Sequence, residues 1–493
     1  MLRYVRQLAG ESLVYGVSGV LSRLLVIFLV PLYTRAFSPS QYGEMGLVAT
    51  GMMAVAIFAA LSLDAAAHRW YWESEDEGDR KSTLAAWAWC HLGMTLAFAV
   101  AITLGARWLA ANLVRNAGAA PSIMLAAWAL PCTVLGMVAT NWLRMRRRPW
   151  STVGLTLGTT LVTLALTTWF VVGLRHGVRG VFEAQLASAA VGSVLGVALL
   201  RDWVHPRWFR AERLRELLRY ALPMIPAAVA FWVVSMVDRW FVQRFTDTAQ
   251  VGLYQVGYTL SAVVALATTA FQQAWAPFSL SIHREADARG FYALALLLYL
   301  WVASLFAAVV SVLAPEVLRI FTTPAYYGAY TVVPWLAFSF VMMGLVNVAG
   351  IGPGIARTMA PLGIGVTLAA LANVALGLVL TPRLGREGAA IATLVSQAVT
   401  PLYLFRASQR LYPIPYRFGA AVAIVAAAAA VTGVGVAWHP ESLWLGIAGK
   451  GALLSSLLLL PLLLGIVRPA HLSRAAWRRS APAPAVAAHP GAE

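Results

Sequence analysis

Charge is scarce in this sequence. Asp, Glu, Lys and Arg together make up 12% of 493 residues, about half the share usual in soluble domains. Cysteine is scarcer still. Cys90 and Cys132 are the only two, both inside apolar runs, which excludes a disulfide framework and a cysteine-based metal centre. Lysine is nearly absent: of 37 basic residues, all but Lys81 and Lys450 are arginine. No H-E-x-x-H, Walker-type or G-x-S-x-G pattern occurs. The chain therefore carries no ATPase of its own, and any uphill transport must draw on an ion gradient or a downhill substrate. No catalytic residue, metal or cofactor is assigned, and the protein reads as a non-enzyme.

What is present is apolar. Hydrophobic residues make up 60% of the chain and the mean hydropathy is +0.73. Runs longer than about 18 residues recur from end to end, the length needed to cross a bilayer. The fold class is an all-α polytopic membrane protein with about fourteen transmembrane helices. The first run, Glu11 to Tyr33, is long enough to span and lacks an A-x-A-like cleavage site, so it reads as a retained helix. A net charge of +17 would suggest nucleic acid for a soluble protein; here the positive-inside rule accounts for it, and no nucleic-acid partner is expected. Alternating the connections places 25 basic residues on the side of the N-terminus, 10 on the other side and two within spans. Both termini are then cytoplasmic.

Two stretches repeat. "YTRAFSPSQYGEMG" (33–46) and "VQRFTDTAQVGLYQ" (242–255) share Arg35/Arg244, Gln41/Gln250 and Gly43/Gly252 at an offset of 209. Near the same offset, "GVRGVFEAQLAS" (177–188) matches "GREGAAIATLVS" (385–396), with Gly177/Gly385 and Gly180/Gly388 among the shared positions. Anchors this far apart at one offset argue for an internal duplication of six helices. An even number of helices makes the copies parallel, related by an axis along the membrane normal and enclosing a central gap. The repeated phrase is expected to form a short outer turn, with glycine permitting the chain reversal. The expected organisation is an N-terminal six-helix half (1–206), an amphipathic linker helix on the inner leaflet (207–220) and a second six-helix half (221–410). Two additional spans (411–470) and a disordered, basic Pro/Ala-rich tail (471–493) follow.

Ionisable residues inside spans mark functional sites by default, because each costs several kcal/mol in hydrocarbon (about 2.5–3.5 at the centre on insertion scales). Arg23 lies midway along the first span. Its guanidinium stays charged when desolvated and offers a planar fork suited to pyrophosphate. Arg35 at the outer end of that span and Arg239 in the seventh are the other candidate cavity cations. Asp238, Asp64 and Glu183 are candidates for ion coupling or charge pairing. Adjacent residues do not share a helix face, so at most one of Asp238 and Arg239 is expected to point into the gap.

The opening "GVSGVLSRLLVIFLVPLYTRAFSPSQYGEMGL" and "ALPMIPAAVAFWVVSMVDRWFVQRFTDTAQVGLYQVGYTL" (221–260) resemble the two half-starts of bacterial polysaccharide repeat-unit flippases. These belong to the multidrug/oligosaccharidyl-lipid/polysaccharide exporter superfamily, with lipid II flippases and MATE drug exporters. The resemblance covers about residues 10–410. It implies a V-shaped six-plus-six bundle working by alternating access, with Arg23 and Arg35 on the first-helix signature and Asp238–Arg239 on that of helix seven. It further implies a cargo of undecaprenyl-diphosphate-type lipid-linked oligosaccharide, carried from the cytoplasmic to the outer leaflet of the inner membrane for cell-surface polysaccharide such as O-antigen. Membrane lipids, a polysaccharide polymerase and a chain-length regulator are the implied partners. The alternatives are an ion-coupled multidrug exporter on the same fold and a membrane polymerase or ligase. The latter would need a large outer loop, and every outer connection here is short.

Overall fold

The computed structural model describes residues 21, 25, 28–285, 287–438 and 443–465. Arg23 and the expected tail at 471–493 lie outside the described residues. Helices account for the secondary structure, with no strand among the described residues. Eleven helical stretches there are long and apolar enough to cross a membrane. The 52-residue stretch Ala360–Leu411 contains two of the expected spans, 360–381 and 387–406, on either side of a break at Gly385. Large apolar side chains point outward along these helices, Leu104 at 85% exposure and Trp150 at 74%. Such a surface is stable only with lipid as its solvent. The protein is a multi-pass membrane protein.

The repeated phrases each start a helix. α1 (Leu29–Ala36) ends just before Ser38, which caps α2 (Pro39–Ala60) through a reciprocal box: Gln41 N–H donates to Ser38 Oγ at 3.3 Å and Ser38 N–H to Gln41 Oε1 at 3.0 Å. At the repeat position Asp247 accepts from Gln250 N–H at 2.8 Å, starting a helix over Thr248–Ser261. Capping by side-chain oxygens satisfies amide donors that a helix start leaves open. Chain reversal is therefore completed before either glycine is reached. Gly43 and Gly252 are helical, and their role lies elsewhere, in the crossing described below.

The second pair of anchors does make turns. Gly177 and Gly385 have φ of +63° and +60°, a region in which a Cβ costs about 1–2 kcal/mol. Three residues on, Gly180 and Gly388 lie against the carbonyls of Phe170 and Leu380 in the preceding helices. Elsewhere the chain accepts the left-handed cost at arginine. Arg115, Arg147, Arg175 and Arg357 all have φ between +51° and +59° at the ends of helices, where a cation opposes the helix dipole.

Several spans are interrupted in mid-course. Leu61 and Ser62, both left-handed, separate α2 from α3 (Leu63–Glu73). Val237 separates α4 (Ile225–Met236) from α5 (Asp238–Phe245). A helix forms over Ala211–Ala221, and its apolar side rests on the protein: Leu217 is buried in a cluster with Ala66, Leu84 and Leu143. Arg210 and Arg213 reach Asp79 at 3.0 and 3.3 Å, tying this segment to the first turn of the helix Glu77–Leu109.

Beyond residue 411, Phe418–Ala437 packs on Ala288–Val312, with Gly435 against Val312. The following helix is held by a buried ion pair, Lys450 Nζ to Glu316 Oε1 at 2.7 Å. Lys450 is fully buried and Glu316 nearly so. Removing one member leaves an uncompensated buried charge. Lys450→Ala is expected to cost about 3–5 kcal/mol, read as a lowered thermal unfolding midpoint in detergent, with most of the loss recovered in K450M/E316L.

Candidate functional site

The two halves meet where α2 crosses the helix Thr248–Ser261. A methyl group on Gly43 would lie 1.9 Å from the Thr248 carbonyl oxygen, and one on Gly252 would lie 1.9 Å from that of Pro39. Pro39 and Thr248 are themselves 209 residues apart, so the crossing is related to itself by the repeat axis. No side chain fits between these backbones. Around them the halves are joined by polar contacts. Tyr326 donates its hydroxyl to Phe37 O at 2.9 Å and Thr323 donates to Thr34 O at 3.2 Å. Gln243 Nε2 donates to Val114 O at 3.0 Å and Arg115 Nη2 to Arg244 O at 3.3 Å. Tyr42 stands edge-on to Tyr33 and to Tyr326, with centroids 6.0 and 5.9 Å apart. All of this lies at the end that the arginine bias assigns to the outside, and that end is closed.

Against this closure lies a cavity of about 520 Å³. Its wall is mostly apolar, from Met52 and Phe58 of α2, Phe98 and Ile102 of Glu77–Leu109, and Trp240 and Phe241 of α5. Its polar groups among the described residues are Asn112, Arg115, Gln243 and Arg244, and no carboxylate among those residues lines it. Two guanidinium groups in an apolar wall favour an amphiphile with a negative headgroup. Electrostatic attraction is strongest where water is excluded.

The candidates named from sequence take diverse places. Arg35 is exposed in the last turn of α1. Its repeat partner Arg244 is the residue that lines the cavity. Asp238 and Arg239 turn away from the cavity into the second half and are both almost fully buried. Asp238 Oδ1 accepts from the Arg239 amide at 2.8 Å and from its Nη1 at 2.9 Å. Its Oδ2 accepts from Thr393 Oγ1 at 3.2 Å and from the Tyr254 hydroxyl. Arg239 Nε donates to Gln255 Oε1 at 2.7 Å, and the guanidinium lies 4.1 Å from the Tyr258 ring centroid. Every charge in this network has a partner, as burial demands. Glu183 takes Arg179 at 2.8 Å and His176 at 2.6 Å beside the Gly177 turn. Asp64 is exposed in the first turn of α3, directly after the Leu61–Ser62 break, with no ion pair among the described residues. No group of metal-ligating side chains occurs among the described residues. Arg115 was not selected from sequence; it sits at a helix end without a repeat partner, and nothing local distinguishes it from a snorkelling arginine.

A family model described as "Polysaccharide biosynthesis protein" matches residues 8–283, more than half of the chain. The chain belongs to that family. A comparison with curated proteins returned no match. Among solved structures the fold is similar to "Lipid II flippase MurJ, inward closed conformation", with a TM-score of 0.74 at 12% identity over 92% of this chain and 98% of that one. It is also similar to a multidrug resistance MATE family transporter of the MOP superfamily. The inward-facing form gives a TM-score of 0.62 at 15% identity over 79% of this chain and 94% of that one. The outward-facing form gives 0.61 at 15% over 82% and 95%. At these identities the likeness describes the fold, a transporter fold of the MurJ and MATE kind.

The crossing makes a direct prediction. Gly43→Val should hold the closed end apart. In a C90S/C132S background, a single cysteine at buried Thr34 is expected to react with a water-soluble maleimide at least about tenfold faster when Gly43→Val is present.

Proposed function

We propose that the protein is a flippase that moves polyprenyl-diphosphate-linked oligosaccharide repeat units from the cytoplasmic to the outer leaflet for cell-surface polysaccharide synthesis. The observation that carries this reading is the cavity: apolar walls and, among the described residues, two guanidinium groups and no carboxylate, set against a closure made by repeat-related helices. The diphosphate would meet Arg115 and Arg244, joined by Arg23 and Arg35 from the first span. The sugars would occupy the gap and the polyprenyl chain would stay in lipid. Cations in the cavity lower the cost of carrying a charged headgroup across hydrocarbon.

Alternating access then consists of opening the Gly43–Gly252 crossing while the opposite end closes. The breaks at Leu61–Ser62 and Val237 supply the flexible points; Leu61 and Ser62 are left-handed non-glycine residues that hold strain a second conformation can release, while Val237 keeps a helical φ of −67°. Of the three acidic candidates, Asp64 is the one we assign to ion coupling, because Asp238 and Glu183 are already neutralised by arginine. Arg239 is assigned to charge pairing with Asp238. The setting is the bacterial inner membrane with both termini cytoplasmic, beside a polysaccharide polymerase and chain-length regulator.

Multidrug export is the second reading, favoured by the fold shared with MATE transporters. Organic cations call for a carboxylate in the pocket, and this cavity offers guanidinium instead.

Mass spectrometry of polyprenyl-diphosphate-linked glycans tests the proposal. Cells without the gene are expected to accumulate one completed repeat unit. Wild type should clear it, whereas R115Q/R244Q should restore less than about a tenth of the flux, the scale of losing two charge-assisted contacts. An unchanged lipid pool in a strain without a redundant flippase would overturn the flippase reading in favour of drug export.

A further inference from the structure

A second concave site lies at the opposite end of the first half, where three connections on the arginine-rich face converge. It measures about 350 Å³ and is lined by Tyr71 and Trp72 from the end of α3, Arg80 from the next helix, Arg146 and Arg147 after Ala120–Met145, and Trp203 after Gly177–Leu200. Its chemistry differs from the cavity above: three guanidinium groups against three aromatic rings. Arg80 lies 5.3 Å from the Tyr71 ring centroid, Arg146 5.5 Å from Trp203 and 5.4 Å from Trp142, and Arg147 5.8 Å from Trp72.

Of the acidic residues nearby, Glu75 is exposed without an ion pair among the described residues, and the others are committed elsewhere. Asp76 caps the helix at Asp79 N–H (2.9 Å), Asp79 holds Arg210 and Arg213, and Glu73 holds Arg69 at 2.8 Å. Glu77, which also lines the pocket, is held by Lys81 Nζ at 2.7 Å. Arg80 is anchored by its Nε on Ser74 O at 2.9 Å and Tyr71 O at 3.2 Å, leaving its two Nη groups without a partner among the described residues. Neither Arg146 nor Arg147 has an ion pair or hydrogen-bonded acceptor for its guanidinium there.

The backbone adds a second argument. Arg147 N–H donates to Arg144 O and Arg148 N–H to Leu143 O, both at 2.9 Å, and Arg147 has φ of +51°. This is the helix-ending arrangement in which glycine is the favoured residue. Arginine here gives up local stability and places its charge on the pocket. Strain of this kind collects at binding sites.

We propose that this pocket binds the phosphate headgroup of a membrane lipid, the guanidinium forks taking the phosphate oxygens and the exposed Trp72 ring covering the sugar or glycerol beyond them. Two lipids share that chemistry: the glycan-bearing polyprenyl diphosphate awaiting transport, and a resident anionic phospholipid. The first assignment rests on the flippase reading; the site itself does not.

The test is photolabelling of the purified full chain, in neutral detergent, by a polyprenyl diphosphate carrying a diazirine beside its headgroup. Adducts are expected on peptides spanning 70–81 and 142–148. R146Q/R147G should cut them at least tenfold, and Arg147→Gly alone should cut them while leaving the unfolding midpoint equal to or above wild type. R244Q, at the other cavity, should leave these adducts unchanged. Competition at least tenfold better by unlabelled polyprenyl diphosphate than by phosphatidylglycerol identifies the site as a loading station for cargo. Equal or better competition by phosphatidylglycerol identifies a phospholipid site, and it stands even if glycan pools do not depend on this protein. Undiminished labelling in R146Q/R147G, or no competition by either lipid, overturns the proposal.

Discussion

Two stretches of main chain touch without a side chain between them, and the arrangement of the two halves depends on that contact. Within a bilayer, apolar side chains gain little by leaving lipid for protein, so close packing carries helix association. Gly43 and Gly252 bring the helix axes near enough for carbonyl oxygens to occupy the space of a methyl group. Because the partners are equivalent under the repeat, each helix is at once ridge and groove. A small rotation of either half removes the fit on both sides together, which favours a contact that is either made or lost. The tyrosines and amide bonds around it then follow the same alternative.

The scarcity of charge sharpens the meaning of the charges that remain. Asp238 with Arg239, Glu316 with Lys450, and Glu183 with His176 and Arg179 neutralise one another inside or beside the spans. Arg115 and Arg244 have no such acidic partner among the described residues, and they share the larger cavity. Arg80, Arg146 and Arg147 are in the same position at the other end of the first half. The separation of paired from unpaired arginines yields a concavity lined by arginines without acidic partners at each end of the first half.

Much of the architecture was legible because duplication writes itself into spacing. The offset of 209 led to Gly43/Gly252, and the neighbouring anchors to Gly177/Gly385, which do turn the chain. The role of the first pair was misplaced for a physical reason: a glycine one turn into a helix and a glycine in a reversal look alike in a sequence, and only the partner backbone distinguishes them. Burial of Arg239 was also hidden. The side chains of Asp238 and Arg239 bend toward each other although their helix positions diverge, and Thr393 and Tyr254 arrive from distant segments. Arg244 was visible as a repeat partner but ranked below the deeper Arg23. Arg115 carried no periodic signal at all. The family resemblance agreed with the family model, while the lining of either concavity required packing that no local pattern encodes.

The pairing of Glu316 with Lys450 has a consequence for biogenesis. Glu316 belongs to the segment following Ala288–Val312, and its counter-charge enters the membrane more than a hundred residues later in synthesis. Until the helix bearing Lys450 docks, the second half holds an acidic group without its counter-charge. The pair therefore acts as a mark of docking: a chain in which that helix is misplaced keeps a buried carboxylate with nothing to neutralise it.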